Sequence, residues 1–353
     1  MVGPSSPVLL VVVFLVGVAL VIWCVEIFIE AVAQSAVSLG VSGFFLAVVL
    51  AGIDLENAVL GVTAAVAELP GLAIGTVFGE SLFVLTVAVG LAGLVVPFRM
   101  NVPRTYLFML VLAPIPAFAL SLGGEIDLLG GTALVALFLP VLAFVYWHER
   151  RTETTYLLSE EVQEVIGLEA GADAEAMADG DRTPRERESD LDFDLDLDEF
   201  VPSLEERSGR FALVVAVLAV VGMTIGSGLT VYSAEGIFVA LGISGLAFGA
   251  TVLSFIASLE ELALTVEPVR QQRPELAVGN IVGSTVFYMT ANVGLIAFLH
   301  PVATGGDVLT VHWPFFALCL LLVTAMLARG RVTRLGGIVL IGCYVAYWVI
   351  NYL

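Results

Sequence analysis

The chain contains no lysine. All 14 basic residues among its 353 are arginine, and it has only three histidines and three cysteines. Cys24, Cys319 and Cys343 show neither the number nor the spacing of a disulfide framework or a zinc site. Each falls in an apolar stretch, where a free thiol acts as a small buried hydrophobe. Charged residues are scarce at 14%, against 59% hydrophobic residues and a mean hydropathy of +1.01. No ordinary soluble domain has this composition. The net charge is −20, which excludes a basic nucleic-acid-binding face. An acidic, lysine-free surface suits a high-salt cytoplasm, where screening tolerates self-repulsion, so a halophilic source is expected. GC-rich codon usage also favours arginine over lysine.

Long apolar runs dominate instead. Ten are long enough to cross a bilayer: 8–33, 40–66, 71–96, 104–122, 128–147, 211–232, 236–266, 276–299, 313–329 and 335–352. The first is read as a retained span. Ala31-Val32-Ala33 resembles a cleavage site, but no positive charge precedes the run, and Glu26 and Glu30 interrupt it.

The arginines set the topology. They occur only between spans 3 and 4, 5 and 6, 7 and 8, and 9 and 10. With ten spans these loops share one face, which the positive-inside rule makes cytoplasmic. Both termini then lie outside the cell membrane. The domains expected are a five-helix membrane repeat at 1–148, an acidic cytoplasmic linker at 149–210, and a second five-helix repeat at 211–353. The linker holds 20 acidic residues and 7 arginines. Its run from Asp190 to Asp198 alternates acid and apolar residues, as in a disordered segment, a short strand or a weak cation site. Composition favours disorder. Residues 157–170 read as a short amphipathic helix.

One segment occurs twice. Residues 54–83 and 258–287 align without a gap at an offset of 204, with 10 identities in 30. Each copy follows an echo, LGVSG at 39–43 and LGISG at 241–245. Five spans per copy is an odd number, so the copies must be inverted, which agrees with the arginine topology. Such repeats place a transport site where they meet. Gly75 and Gly79, and Gly279 and Gly283, are spaced to let a neighbouring helix approach closely.

Both copies carry carboxylates inside apolar runs: Asp54, Glu56 and Glu80 in the first, Glu260 and Glu261 in the second, with Glu267 near an end. An ionised acid at mid-membrane costs about 2.5–3.5 kcal/mol. Apart from Arg104 and Arg329 at the very ends of their runs, the ten runs contain no Arg, Lys or His to neutralise these acids. Protons or exchangeable cations are the remaining partners, and hard oxygen donors at this density suit Ca²⁺ or Na⁺. Asn57, Ser81, Ser258, Ser284, Thr285, Asn280 and Asn292 offer further oxygens. Glu26 and Glu30 share one helix face and either line an access path or sit nearer the outer surface. Glu68, Glu125, Asp127 and Asp307 read as solvated loop acids, and no role is assigned to His148, His300 or His312.

At these residues the chain resembles the Ca²⁺:cation antiporter superfamily, the sodium/calcium exchangers and their relatives. That family's repeats read approximately LGxS, GTSLPE and GNxxGSNxFN. The second copy gives LGISG, Ala257-Ser258-Leu259-Glu260-Glu261-Leu262 and Gly279-Asn280-Ile281-Val282-Gly283-Ser284-Thr285-Val286-Phe287-Tyr288. The first gives LGVSG, Gly52-Ile53-Asp54-Leu55-Glu56-Asn57 and Gly75-Thr76-Val77-Phe78-Gly79-Glu80-Ser81-Leu82-Phe83-Val84. The family's central glutamate is kept as Glu261, while its first-repeat counterpart is Asn57. The preceding proline is Glu56 or Glu260, and the acid or amide after Phe is Val84 or Tyr288.

The resemblance implies an all-α polytopic membrane protein of about ten helices in two inverted repeats. It implies a secondary cation antiporter, Na⁺/Ca²⁺ exchange by alternating access, with a proton-coupled exchanger as the alternative. It implies that the first and sixth spans slide across the broken middle helices. The candidate ligands are Asp54, Glu56, Asn57, Glu80, Ser258, Glu260, Glu261 and Ser284. The partners expected are inorganic cations and the lipid bilayer, with no cofactor, no catalytic residue and no nucleic acid. An intramembrane hydrolase built on Asp54 and a membrane sensor signalling through the linker are the rival classes. The absence of a second matching Asp motif argues against the hydrolase.

Overall fold

The computed structural model describes residues 7–38, 54–152 and 209–353. The LGVSG echo, Gly52, Ile53, the 157–170 helix and the Asp190–Asp198 run lie outside the described residues.

The described chain is helical: α1 (Pro7–Ser38), α2 (Leu55–Val66), α3 (Pro70–Val95), α4 (Arg104–Ser121), α5 (Leu128–Thr152), α6 (Gly209–Leu241), α7 (Gly245–Ala257), α8 (Leu259–Arg270), α9 (Pro274–Leu299), α10 (Val308–Ala328) and α11 (Arg334–Asn351). Seven of these are individually long and apolar enough to cross a membrane. α7 and α8 together form a span bent by 48° at Ser258. α2 and the Leu128–Phe144 part of α5 are shorter apolar helices. The fold is that of a polytopic membrane protein.

The repeat extends to the ends of the elements. α2 and α8 each have 12 residues, at the offset of 204 seen in the sequence. α3 and α9 each begin with proline at the first turn, where its missing N–H costs nothing. Each widens into a π-helical turn, at Val84–Ala88 and Tyr288–Asn292, again offset by 204. Such turns insert one residue into an α-helix and often mark functional positions.

Four two-residue strands prove the inversion. β1 (Phe98–Arg99) pairs with β4 (Arg331–Val332), and β2 (Glu125–Ile126) pairs with β3 (Val302–Ala303), both antiparallel. α4 alone separates β1 from β2, and its 18 residues rise about 27 Å. The two strand pairs therefore sit at opposite ends of the bundle. The repeat mate of β1 is β3, which lies at the far end beside β2. The halves are related by inversion. The seven described arginines outside α5 and α6, Arg99, Arg104, Arg270, Arg273, Arg329, Arg331 and Arg334, are all exposed and all fall at the β1–β4 end.

α3 and α9 form the centre. Their membrane windows are 94% and 83% buried, against about a third for α1, α4 and α6. α3 meets α7 backbone to backbone. A Cβ on Gly75 would strike the Leu246 carbonyl, one on Gly79 the Ser254 hydroxyl, and one on Gly249 the Leu72 carbonyl. The glycine spacing at 75 and 79 thus does what was expected of it.

Two span boundaries differ from the sequence reading. Span 6 does not stop at 232: α6 continues to Leu241, because Glu235 and Gly236 are tolerated in a helix. It ends only where Gly242 takes a left-handed φ of +69°. Ser244 then caps α7, its hydroxyl accepting from the Ala247 N–H at 3.0 Å. LGISG is therefore a stop and a start signal in five residues. Span 9 begins at Val308 rather than 313, so His312 is inside it. The reading that no span holds a histidine is corrected. His312 is fully buried, stacked on Phe78, with Nδ1 2.7 Å from the Tyr347 hydroxyl.

Candidate cation site

In both halves a helix begins at the matching position. In the first, Asp54 is the N-cap of α2, and its Oδ1 accepts from the Asn57 N–H at 3.0 Å. In the second, its repeat mate Ser258 stands at the bend between α7 and α8. A break in mid-bundle frees backbone groups and points helix N-termini at the centre, an arrangement found where transporters hold ions.

The next residues fill the centre. Glu56, Asn57, Glu80, Ser258, Glu261 and Ser284 are all buried, and Asp54 is half-buried. Asp54 Oδ2 accepts from Asn57 Nδ2 at 2.6 Å and from the Tyr288 hydroxyl at 2.6 Å. Glu261 Oε1 accepts from Ser284 Oγ at 2.9 Å and lies 3.2 Å from the Tyr288 hydroxyl. Glu261 Oε2 accepts from Asn280 Nδ2. Asn57 Nδ2 also reaches the Tyr288 oxygen, at 3.1 Å. One phenol thus joins the central acids of the two halves.

A second set of oxygens has no donors. Both carboxylate oxygens of Glu80 are buried without a hydrogen-bond partner, as are Glu56 Oε1, Asn57 Oδ1 and Ser258 Oγ. Glu56 lies within electrostatic reach of Glu260, Asp54, Glu80 and Glu261, and Glu80 within reach of Asp54 and Glu261. Buried polar atoms without partners are rare and costly. Among the described residues no group of three or more His, Cys, Asp or Glu converges tightly enough to hold a metal ion by itself. The oxygens gathered here are mixed, amide and hydroxyl beside carboxylate, which is chemistry suited to hard cations.

Asp54, Asn57, Glu261 and Ser284 are thus joined in one hydrogen-bonded group through Tyr288, Glu56 and Glu80 lie within electrostatic reach of it, and Ser258 is buried at the bend. Glu260 acts on Glu56 from the edge of this group. Its side chain is exposed although its mate Glu56 is buried; its neighbour Glu261 points about 100° away around the helix and is buried. Two residues of the centre were not among the candidates. Asn280 was only a polar neighbour. Tyr288 was noted only for replacing an acid or amide, a loss that the structure shows to be a bridge. Its one sequence signal was its register, the first residue after each repeat's shared phenylalanine. Glu68 and Gln272 are in register as well, both with positive φ in the tight turns before α3 and α9. Glu267 pairs with Arg270 at 3.0 Å on the exposed end of α8.

Inverted halves, a span broken beside the centre and a buried mixed-oxygen cluster are the features of a secondary carrier of cations. The chain matches the profile of the sodium/calcium exchanger protein family over residues 9–147 and 211–353, and it belongs to that family. Its members are transporters, not enzymes, and the chain is a cation/Ca²⁺ exchanger. It is 24% identical over 294 residues to the inner membrane protein YrbG of Escherichia coli (strain K12), covering 81% of this chain and 79% of that one. It is 30% identical over 149 residues to the sodium/calcium exchanger MaX1 of Methanosarcina acetivorans, covering 41% and 43%. A solved structure of the sodium-calcium exchanger NCX_Mj, soaked with Na⁺ and Sr²⁺, superposes with a TM-score of 0.52 at 18% identity, over 98% of this chain and 99% of the other. The crystal structure of an H⁺/Ca²⁺ exchanger, CAX, superposes with a TM-score of 0.65 at 14% identity, over 97% and 85%. At such identities the structures share the fold.

Proposed function

We propose that this exchanger moves Ca²⁺ against Na⁺ across the cell membrane by alternating access. Ten spans are arranged as repeats at 1–148 and 211–353, joined by an acidic cytoplasmic linker at 149–210, with both termini outside. Asp54, Glu56, Asn57, Glu80, Ser258, Glu261 and Ser284 form the ion site, and Glu260 acts from its edge. The observation that carries this reading is Glu80. It is fully buried, and neither oxygen has a donor. Among the described residues the charges that act on it are those of Asp54 and Glu261, both of its own sign. Such a group is stable when a cation shares it. The arginines at the β1–β4 end support that end as cytoplasmic.

The second reading, exchange against protons, draws on the same residue. A carboxyl without donors is equally satisfied by a proton of its own. The test is ⁴⁵Ca²⁺ uptake into proteoliposomes under an outward Na⁺ gradient, an outward H⁺ gradient, or neither, with Glu80→Gln and Glu261→Gln alongside. Na⁺-driven uptake lost in both variants is the expected result. Uptake driven by H⁺ alone establishes the second reading. No Ca²⁺ flux from folded protein under any gradient rules out both.

A further inference from the structure

One buried side chain has no part in this scheme. Asn292 is fully buried in the π-helical turn of α9, and neither its Nδ2 nor its Oδ1 meets a hydrogen-bond partner. An amide left so costs a few kcal/mol. Its seat is nonetheless specific. A Cβ added to Gly61 of α2 would stand 3.1 Å from Asn292 Oδ1 and 3.0 Å from Ile296. The absence of a side chain at 61 keeps space beside the amide.

α2 and the π turn run alongside each other. Asn57 meets Tyr288 at 3.1 Å, and four residues on, Gly61 faces Asn292. Asn57 Oδ1 is buried and unpaired on the same helix. α2 ends at the turn into α3, and α9 ends at β3, so this seam leads from the carboxylates toward the β2–β3 end.

The other half has the complementary arrangement. The repeat mates of Gly61 and Asn292 are Thr265 and Ala88. Thr265 is fully buried on α8, its Oγ1 3.5 Å from Asn280 Nδ2, the amide that donates to Glu261. Its seam leads toward the β1–β4 end, because the halves are inverted. Each seam carries one neutral oxygen one turn beyond the carboxylates. They lie toward opposite ends and on different helices of the repeat, so duplication alone did not place them.

We propose that Asn292 and Thr265 are neutral-oxygen way stations for the transported cation, Asn292 on the β2–β3 side of the carboxylate cluster and Thr265 on the β1–β4 side. A cation entering a dry cluster exchanges its water in steps. Amide and hydroxyl oxygens replace water without the grip of a carboxylate, which lets the ion both enter and leave. The proposal rests on the Ca²⁺-exchange reading above.

The experiment measures half-saturation for Ca²⁺ from each side, in proteoliposomes where one orientation is silenced by a reagent against an engineered surface cysteine. Asn292→Ala is expected to raise half-saturation about tenfold from the β2–β3 side, equivalent to about 1.4 kcal/mol, and less than about twofold from the other. Thr265→Val is expected to do the reverse. Asn292→Ser, which keeps an oxygen, should recover part of the loss, and it carries the test should the alanine variant fail to assemble. A packing defect would weaken transport equally from both sides, and that result, or no change from either side, overturns the proposal while leaving Ca²⁺ exchange intact. A wild type that carries no Ca²⁺ from either side overturns the exchange reading, and this proposal with it.

Discussion

The Tyr288 hydroxyl donates to Asp54 Oδ2 at 2.6 Å across 234 residues of chain, from the second half of the molecule to the first. The same oxygen is 3.2 Å from Glu261. The carboxylates of the two halves are thus linked through one hydroxyl, at the position where the repeat motif of the resembled family carries an acid or amide.

Tyr288→Phe should keep the ring and lose this link. Asp54 and Glu261 would each give up one buried hydrogen-bond partner, at a cost of about 1–3 kcal/mol. A thermal melt of the detergent-solubilised protein is the check, in a double-mutant cycle with Asp54→Asn. A coupling energy of about 0.5–3 kcal/mol is expected. Simple additivity of the two changes would show that the hydroxyl and the carboxylate do not act on each other.

Glu80→Gln should separate folding from ion binding. The amide is nearly isosteric and uncharged, so it suits a pocket that offers no donors, and the ion-free protein should melt no lower than wild type. The stabilisation that Ca²⁺ gives wild type, about 2.7 kcal/mol at one hundred times its dissociation constant, should disappear. If Ca²⁺ stabilised the variant as strongly as wild type, Glu80 would not be a ligand.

Much of the architecture was legible because duplication writes one pattern twice. The offset of 204 put the carboxylates, the glycine pairs and Pro70 with Pro274 in register, and odd-numbered repeats with one-sided arginines pointed to the inversion. Burial of Glu56, Glu80 and Glu261 was legible because apolar neighbours surround them. What sequence did not give was orientation within a helix. Glu260 and Glu261 are adjacent, and no pattern in the chain says which one faces inward. Tyr288 reads as an ordinary aromatic until its hydroxyl is seen between two acids. α6 ran past Glu235 and Gly236 because neither residue forces a stop, whereas Gly242 does.

The close packing of α3 on α7 should be intolerant of one methyl group. Gly79→Ala would press against the Ser254 hydroxyl and the Ala250 carbonyl, both in a buried seam. A loss of about 1–3 kcal/mol is expected. Gly228→Ala is the control: nothing lies within 4 Å of its added Cβ, and it sits inside α6, where alanine is favoured over glycine by up to about 1 kcal/mol. The two melting temperatures should move in opposite directions. A shared direction would mean that the α3–α7 seam opens freely.

Arg99 and Arg331 stand opposite each other across β1 and β4, both exposed. Like charges directly opposite on a strand pair oppose the pairing, and opposite charges favour it by about 0.2–1 kcal/mol. Arg99→Glu should therefore raise the melting temperature slightly at low salt. In 1 M salt the screening length falls to about 3 Å, and the gain should vanish. A wild type that keeps this repulsion loses a little stability at one strand pair and retains two positive charges at the end of the bundle where its arginines collect. Were Arg99→Glu to stabilise the protein equally at both salt concentrations, the gain would come from strand propensity or packing, and the arginine pair would not be in repulsive contact.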